Sequence, residues 1–171
     1  MKGFVHVYTG DGKGKTTAAL GLALRAAGAG LRVFIAQFAK GRDCSELHSI
    51  RQLGPNITLR QYGTDRFIIG APSEEDVESA LAGFAEARQA VCGGQFSVVI
   101  LDEANIGTYY DLFSVEDLLD LIEQKPAHVE LVLTGRYADR RIIERADLVT
   151  EMREVKHYHR QGVAARVGIE Q

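Results

Sequence analysis

Phosphate binding is the first chemistry that the sequence suggests, in the stretch TGDGKGKTT from Thr9 to Thr17. The usual phosphate-binding loop reads G-x-x-x-x-G-K-[ST], and aligning its tail here places Thr9 where the first glycine is expected. Glycine is found instead at Gly10, Gly12 and Gly14. Glycine lets the backbone come close to phosphate oxygens, and successive N–H groups at the start of a helix attract an anion. The stretch therefore predicts a nucleotide-phosphate site with displaced glycines.

Lys15 and Thr16 complete this predicted site. Lys15 would bring a mobile positive charge to the phosphates, which makes it a candidate catalytic residue, and the Thr16 hydroxyl is suited to ligate Mg²⁺. Lys13 has two interpretations, a phosphate contact or a solvated loop lysine, and the sequence does not choose between them. The candidate phosphate-binding residues are Thr9, Gly10, Asp11, Gly12, Lys13, Gly14, Lys15, Thr16 and Thr17.

Two acidic residues, Asp102 and Glu103, end the apolar run VVILDE. Such a run predicts a buried strand, and α/β proteins bind their ligands at the carboxyl ends of these strands. Mg²⁺ prefers hard oxygen ligands beside substrate phosphates, so Thr16, Asp102 and Glu103 are the predicted metal ligands. Glu103 is also a candidate catalytic base that activates water, as in a nucleoside triphosphatase. The pattern alone does not separate these two roles of Glu103.

Two arginines are the remaining candidate nucleotide contacts. Arg136 follows the strand pattern LVLTG and is expected at the same sheet edge, where its planar guanidinium can donate several hydrogen bonds to phosphate oxygens. Arg25 lies in the last turn of the first predicted helix. There, nucleotide binding competes with a simpler role, which is to complement the helix dipole.

Short apolar runs that alternate with helical patterns predict the frame that positions these residues. The predicted strands are residues 4–8, 33–38, 57–62, 98–103, 130–135 and 148–152. The predicted helices are residues 16–27, 45–53, 114–123 and 138–146, with another that begins at Ser73. The helix over 16–27 is apolar almost all round and is expected to be buried. This alternation predicts an α/β doubly wound, mostly parallel sheet of about six strands. Because the phosphate-binding loop follows the first strand, we expect the P-loop nucleoside triphosphatase (RecA-like) type of this fold class.

Composition limits the class of function. The 171 residues are enough for one domain, and 46% hydrophobic content can fill a single core. A formal charge of -3 argues against nucleic-acid binding through a broad basic surface and favours a small-molecule substrate. The run MKGFVHVYTG predicts neither a signal peptide nor a membrane span, and Cys44 and Cys92 lack metal-ligand spacing, which fits a reducing compartment. We therefore expect a cytoplasmic, single-domain protein with no nucleic-acid or membrane partner.

The motifs together resemble a known enzyme family. The match extends from about Gly3 to Glu170 and includes YTGDGKGKTTAALGLALRAAGAG, VFIAQFAKG, VVILDEAN, LVLTGR, ADLVTEM and VKHYHRQGVAARVGIE. These stretches are similar to the ATP:corrinoid adenosyltransferases of the type with a phosphate-binding loop. That family's loop commonly reads G-N-G-K-G-K-T-T, which accounts for the displaced glycines. This chain differs at Asp11, which replaces the asparagine, and at Ala104, where the family often has a larger apolar residue.

The resemblance implies an alkyl transfer and no phosphoryl transfer. ATP, with Mg²⁺, would donate its 5′-deoxyadenosyl group to Co(I) of a reduced corrinoid, the acceptor substrate, and release inorganic triphosphate. Because Co(I) is a strong nucleophile, the reaction needs neither a protein nucleophile nor a base. The protein would align the substrates and neutralise charge on the leaving triphosphate, with Lys15, Mg²⁺ and Arg136 as candidates. The resemblance also implies a homodimer.

Before this transfer the corrinoid must be reduced from Co(II), and a flavoprotein is a candidate electron donor. The resemblance implies that bulky apolar side chains displace the lower axial ligand of cobalt, which makes the reduction easier. The segment YGTDRFIIGAP offers Phe67 and Ile69 for this role, with core packing as an equal alternative. A histidine ligand to cobalt would oppose that displacement, so His157 and His159 are expected to have surface or structural roles.

Two other functions are compatible with the same pattern. A nucleotide kinase or ATPase would use Glu103 as a base and form ADP. A regulatory nucleotide-binding module would bind ATP and Mg²⁺ without turnover. The products formed from ATP, Mg²⁺ and reduced corrinoid distinguish these functions from adenosyl transfer.

Overall fold

Six strands form one sheet in the computed structural model, which describes residues 2–41, 44–64, 68 and 70–170. The strands are β1 (Val5–Thr9), β2 (Val33–Phe38), β3 (Ile57–Tyr62), β4 (Val98–Asp102), β5 (Glu130–Thr134) and β6 (Leu148–Glu151). Their order across the sheet is β3-β2-β4-β5-β1-β6, and every neighbouring pair is parallel. The predicted α/β class is confirmed, and each strand begins and ends within one residue of its predicted bounds.

Helices connect the strands on both faces of the sheet. They are α1 (Lys15–Gly28), α2 (Ser45–Gln52), α3 (Glu74–Cys92), α4 (Ala104–Tyr109), α5 (Val115–Gln124) and α6 (Arg140–Arg145), followed by a 3₁₀ helix at Tyr158–Gln161. Ser73 and Ser114 cap α3 and α5, and in each case an aspartate three residues on completes a capping box. The sequence analysis missed α4 and the 3₁₀ helix, because both are too short to show an apolar period. None of the helices in the described ranges is long and apolar enough to cross a membrane.

Alternation along the strands divides the core into two layers. In β4, Val99 and Leu101 pack in a cluster with residues of α3 and α5, on one face of the sheet. Val98 and Ile100 pack in a second cluster with α1, on the other face. The two clusters explain why the central strands are apolar on both faces, as in a parallel sheet that is covered by helices on each side.

The same alternation selects which polar side chains meet at the carboxyl edge of the sheet. Asp102 continues the series of even-numbered β4 residues, so it belongs to the α1 face. Gln37 of β2 pairs with Asp102 of β4. In β5, Thr134 is the residue after Leu133, which pairs with Leu101 of β4. Asp102, Gln37 and Thr134 therefore form a row on the α1 face, beside the beginning of α1.

The first helix differs from its prediction. The sequence predicts a helix that is buried almost all round, but α1 buries one face, which carries Ala19, Ala23 and Ala26. The spacing of four and three residues is that of one helix face against a sheet. Leu24, between these positions, is 52% exposed. The prediction of all-round burial is wrong because alanine and glycine, which dominate this helix, are small and tolerated on either face.

Candidate active site

The predicted phosphate loop lies between β1 and α1, at the carboxyl edge of the sheet. Gly14 immediately precedes α1 and has a φ of 119°, a left-handed conformation that glycine adopts without strain. Because Gly14 has no side chain to cap the helix, the first N–H groups of α1 are left for another partner. N–H groups in this position, at the positive end of the helix dipole, favour a phosphate.

The displaced glycines are explained by the backbone that follows β6. Gly12 N–H donates a hydrogen bond to Met152 O at 2.6 Å, and Met152 N–H donates to Thr9 O at 2.8 Å. A Cβ atom added to Gly10 would lie 2.5 Å from Met152 O, and one added to Gly12 would lie 2.7 Å from the same atom. Both positions therefore exclude side chains because another strand end passes against the loop. Close approach to phosphate is not needed to account for them.

Lys15 is folded into the loop that it follows. Its Nζ donates to Gly10 O at 2.7 Å and to Gly12 O at 2.8 Å, and the residue is 7% exposed. Burial lowers the pKa of Lys15, and the charge of Glu103 opposes that shift. An ammonium group has three donors, so one N–H of Lys15 is available to a phosphate oxygen in the cleft. This arrangement both holds the loop together and presents a charge to a ligand.

Lys13 has a partner that neither of its two sequence interpretations included. Its Nζ donates to Ile169 O at 2.7 Å and to Glu170 Oε1 at 3.1 Å. The Glu170 carboxylate also contacts the Tyr158 hydroxyl and the Arg166 guanidinium. The C-terminal segment thus lies along the phosphate loop, and Gly168, Ile169 and Glu170 line one side of the cleft.

Asp102 is the centre of the polar row on the α1 face. The carboxylate is 1% exposed and accepts hydrogen bonds at Oδ1 from Thr16 Oγ1 at 2.9 Å and from Thr134 Oγ1 at 2.6 Å. At Oδ2 it accepts from Gln37 Nε2 at 3.1 Å and from Lys40 Nζ at 3.0 Å. The first turn of α1 and the ends of three strands therefore converge on one carboxylate.

Lys40 is a site residue that the sequence analysis missed. It follows β2, lines the cleft and lies between two carboxylates, Asp102 and, at 3.9 Å from Nζ, Glu46 Oε1. Burial disfavours the charged form, but the charge of Asp102 and its hydrogen bond outweigh burial, so the pKa of Lys40 is raised. The available signal was an isolated lysine directly after an apolar strand, in the stretch VFIAQFAKG.

Glu103, the first residue after β4, has an unusual backbone conformation. Its φ is 60°, a left-handed value, and it is the residue that precedes α4. Its N–H donates to Thr134 Oγ1 at 3.0 Å, and the residue lines the cleft. Burial first, and then the charge of Asp102, raises the pKa of Glu103. The two adjacent carboxylates therefore differ in environment. Asp102 is buried in the polar row, whereas Glu103 is partly exposed to the cleft.

The oxygens of this row are compatible with Mg²⁺. Thr16 Oγ1 lies 2.9 Å from Asp102 Oδ1, and Glu103, the next residue in the chain, lines the cleft. Mg²⁺ is usually held by one or two carboxylates together with substrate phosphates. Within the described ranges, no group of three or more histidine, cysteine, aspartate or glutamate side chains is placed to hold a metal.

Arg136 lies at the cleft, whereas Arg25 does not. Arg136 lines the cleft, and its Nη2 donates to Asp11 O at 3.2 Å. Arg25 lies in the last turn of α1, ten residues after Lys15. At the rise of an α-helix this separation is about 15 Å along the axis. The position of Arg25 suits the dipole role that the sequence analysis had left open.

The cleft has a volume of about 810 Å³ and is lined by both charged and apolar residues. The charged lining residues include Lys13, Lys15, Lys40, Glu103 and Arg136. The apolar lining residues include Leu20, Ile68, Ile106 and Tyr110. Gly12 to Thr17 of the loop line this space, whereas Thr9, Gly10 and Asp11 do not. His157 also lines the cleft and directly precedes the 3₁₀ helix, which contains His159.

Phe67 and Ile69, the predicted residues for displacing the axial ligand, lie outside the described residues. Ile68 between them is described, and it lines the cleft and packs against the cluster that contains α3. The segment therefore reaches both the cleft and the core at Ile68.

The hydroxyl of Thr134 allows a direct test of the polar row. It donates to Asp102 and accepts from Glu103 N–H, so Thr134→Val leaves both groups without this partner in a buried position. We expect the free energy of unfolding to fall by about 1–3 kcal/mol, the usual cost of unsatisfied buried polar groups. Urea denaturation measures the change. Thr134→Ser, which keeps the hydroxyl, is the matched control and should lose clearly less stability; equal losses would show that methyl packing matters, not the hydrogen bonds.

The loop that opens α1 and the acids at the end of β4 are consistent with a protein of the P-loop type. The whole chain, residues 1–171, matches the family described as ATP:corrinoid adenosyltransferase BtuR/CobO/CobP. The chain belongs to this family, so the protein is a transferase that acts on ATP and a corrinoid, and the resemblance found in the sequence is confirmed.

Individual relatives agree with the family match. Corrinoid adenosyltransferase CobA of Salmonella typhimurium is 32% identical over 177 residues, which cover 99% of this chain and 86% of the relative. The corrinoid adenosyltransferase of Pseudomonas aeruginosa is 33% identical over 170 residues, with 99% and 84% covered. An uncharacterized protein of a Nostoc species is 36% identical over 171 residues, with 92% of this chain and 45% of the relative covered.

Proposed function

We propose that this protein transfers the 5′-deoxyadenosyl group of ATP to Co(I) of a reduced corrinoid and releases triphosphate, in the biosynthesis or salvage of adenosylcobalamin. The observation that carries the proposal is that charged and apolar residues line the same cleft. The phosphate loop and an apolar surface border one space of about 810 Å³, so a nucleotide and a large hydrophobic substrate can meet there. Membership of the adenosyltransferase family supports the same reaction.

The chemical step requires positioning and charge neutralisation. The electron pair of Co(I) forms the bond to C5′ while the bond from C5′ to the triphosphate oxygen breaks, and the electrons of that bond leave with the triphosphate. Lys15 would place its remaining N–H on the phosphate chain, and Arg136 would contribute a second cation from the end of β5. Both interactions strengthen as negative charge develops on the leaving group. The loop and the apolar lining residues would align C5′ with cobalt.

Mg²⁺ is part of the proposal, with Thr16, Asp102 and Glu103 as the residues that would hold it. When bound, the ion supplies charge neutralisation for the phosphate oxygens. Thr16 already donates to Asp102, so the carboxylate orients the hydroxyl toward a ligand in the cleft. Asp102 is buried at the end of β4, whereas Glu103 is partly exposed to the cleft and is the more accessible of the two carboxylates.

Reduction of the corrinoid from Co(II) needs one electron, for which we propose a flavoprotein donor. Phe67 and Ile69 are proposed to displace the lower axial ligand, because they are apolar and are the sequence neighbours of Ile68, which lines the cleft. We also propose that the chain is one ATP- and corrinoid-binding domain, that it acts in the cytoplasm and that it forms a homodimer.

The proposed role of Phe67 predicts a difference between two starting states of the corrinoid. Phe67→Ala should lower turnover from Co(II) more than turnover from chemically supplied Co(I), because ligand displacement matters only before reduction. Anaerobic assays with the same enzyme preparation and each cobalt state measure the two rates. Equal losses from both states would remove this role and leave Phe67 as a packing residue. Ile68→Ala is the neighbouring comparison for a side chain that lines the cleft and also packs against the core.

An ATPase remains the second candidate, because Glu103 lies at a strand end with a raised pKa, as a base that activates water would. One experiment separates the functions. The protein is incubated anaerobically with ATP, Mg²⁺ and chemically reduced cobalamin, and the products are analysed. Adenosylcobalamin supports the proposal, ADP supports the ATPase, and binding without product indicates a regulatory nucleotide-binding module.

A further inference from the structure

Lys40 is a cation in the cleft to which the reaction described above assigns no role. The cations that line the described part of the cleft are all bonded within the protein, but to different kinds of partner. Lys15 and Arg136 donate to backbone carbonyls of the loop, and Lys13 bonds to the C-terminal segment. Lys40 is the one of these four whose hydrogen-bond partner is Asp102, a proposed metal-site carboxylate.

Asp102 has no lone pair to spare in this arrangement. A carboxylate offers about four acceptor positions. Four side chains donate to Asp102: Thr134 at Oδ1, Gln37 and Lys40 at Oδ2, and Thr16, whose hydroxyl lies 2.9 Å from Oδ1 and 3.2 Å from Oδ2. A divalent cation that approaches this carboxylate must therefore replace one of the four donors.

Burial identifies the donor that can leave. Gln37 and Thr134 are 0% exposed and fixed in the strands, and Thr16 is itself a proposed ligand of the ion. The Lys40 side chain is 25% exposed and lines the cleft. Its ammonium ends a flexible stem of four carbons, so it can move without any change in the sheet.

We propose that Lys40 is an exchangeable counterion: it neutralises Asp102 in the nucleotide-free site and moves onto the triphosphate chain when Mg²⁺ and ATP bind. Two positive charges cannot share Asp102 at hydrogen-bond distance without repulsion, and the phosphates offer the displaced ammonium a new anionic partner in the same cleft. This exchange would make metal binding weak until the nucleotide is present. The inference rests on the proposed use of Mg²⁺ and triphosphate at this site.

The test uses two binding measurements on the full chain, neither of which requires a corrinoid. The first is Mn²⁺ binding to the nucleotide-free protein, followed by electron paramagnetic resonance. In Lys40→Met the competing ammonium is absent, so Mn²⁺ should bind about tenfold more tightly than in the unmodified protein. The second is tripolyphosphate binding at saturating Mg²⁺, followed by calorimetry. There Lys40→Met should bind about tenfold more weakly, since one charge-assisted contact is lost.

Three further variants make the result specific. Lys40→Arg keeps the charge and should retain weak Mn²⁺ binding. Lys40→Gln keeps hydrogen-bond donors toward Asp102 and tests the proposal independently if Lys40→Met fails to fold. Lys2→Met removes the same unit of charge at the opposite end of β1, where Lys2 lies 5.2 Å from the Phe4 ring, and should change neither constant.

The proposal is overturned if either constant is unchanged in the folded neutral variants, or if Lys2→Met produces the same shifts. An unchanged Mn²⁺ constant would mean that Lys40 does not compete for Asp102. An unchanged tripolyphosphate constant would mean that it does not move to the phosphates. Failure here is distinct from failure of the proposed function, because adenosyl transfer by the unmodified protein is measured separately.

Discussion

Replacing Lys15 by methionine should lower the rate of adenosyl transfer to supplied Co(I) by about 30- to 1000-fold, the range for one charge-assisted contact in a transition state. Methionine has a similar length, but it brings no charge to the leaving triphosphate and leaves Gly10 O and Gly12 O without their donor. Single-turnover kinetics under anaerobic conditions measure the chemical step. A loss of less than about threefold would contradict a direct role for Lys15 in that step.

Lys13→Met is the matched comparison for this prediction. Lys13 is in the same loop and has the same charge, but its ammonium is held by Ile169 O and Glu170. We expect a loss of less than about tenfold, because a partly exposed ion pair contributes little. If Lys13→Met and Lys15→Met lost the same activity, the loss would result from the lower net charge of the loop. The specific position of Lys15 would then not explain it.

Gly12→Ala should abolish most activity through the geometry of the loop. The new Cβ atom would lie 2.7 Å from Met152 O and 2.8 Å from the carbonyl carbon of Arg153. These are backbone atoms that cannot turn away, so the loop or the strand end has to move. A displacement of about 1 Å at a site that aligns reacting groups can cost about 100-fold in rate. Adenosyl transfer and ATP binding are measured together, and both should fall.

Gly21→Ala is the control for an added methyl group near the same site. Gly21 is inside α1, and no atom lies within 4 Å of a Cβ added there. Alanine is favoured over glycine inside a helix by about 1 kcal/mol, so this variant should be slightly more stable and fully active. Activity in Gly12→Ala close to that of Gly21→Ala would show that the contact with Met152 does not hold the loop in place.

Local sequence patterns were sufficient to predict those parts of the site that lie within one strand–loop–helix unit. The loop from Gly10 to Thr16 and the acids after β4 each follow an apolar run, and a parallel sheet collects such ends at one edge. The run VVIL of β4 is apolar at every position, so the face of the sheet to which Asp102 belongs could not be read from the sequence. It becomes clear only when α1 is known to cover the even-numbered face.

The rest of the site depends on contacts between residues far apart in the chain. Lys13 meets Glu170, 157 residues away, and no local pattern encodes that contact. Met152 reaches Gly12 because β6 pairs with β1, and the sheet order was not predicted. Lys40 contacts Asp102 for a related reason, since β2 and β4 are neighbours in the sheet although two helices and a strand lie between them in the sequence. Arg25 was a candidate because the motif includes it, but the length of α1 carries it away from the cleft.

The product formed from the phosphate chain of ATP tests the central claim most directly. Phosphorus NMR of a completed anaerobic reaction with ATP, Mg²⁺ and cob(I)alamin should show free triphosphate in an amount equal to the adenosylcobalamin formed, with no matching ADP. This result follows if C5′ faces cobalt while the loop holds the phosphates as one leaving group. Stoichiometric ADP and inorganic phosphate, without adenosylcobalamin, would contradict the proposed transfer and assign the cleft to ATP hydrolysis.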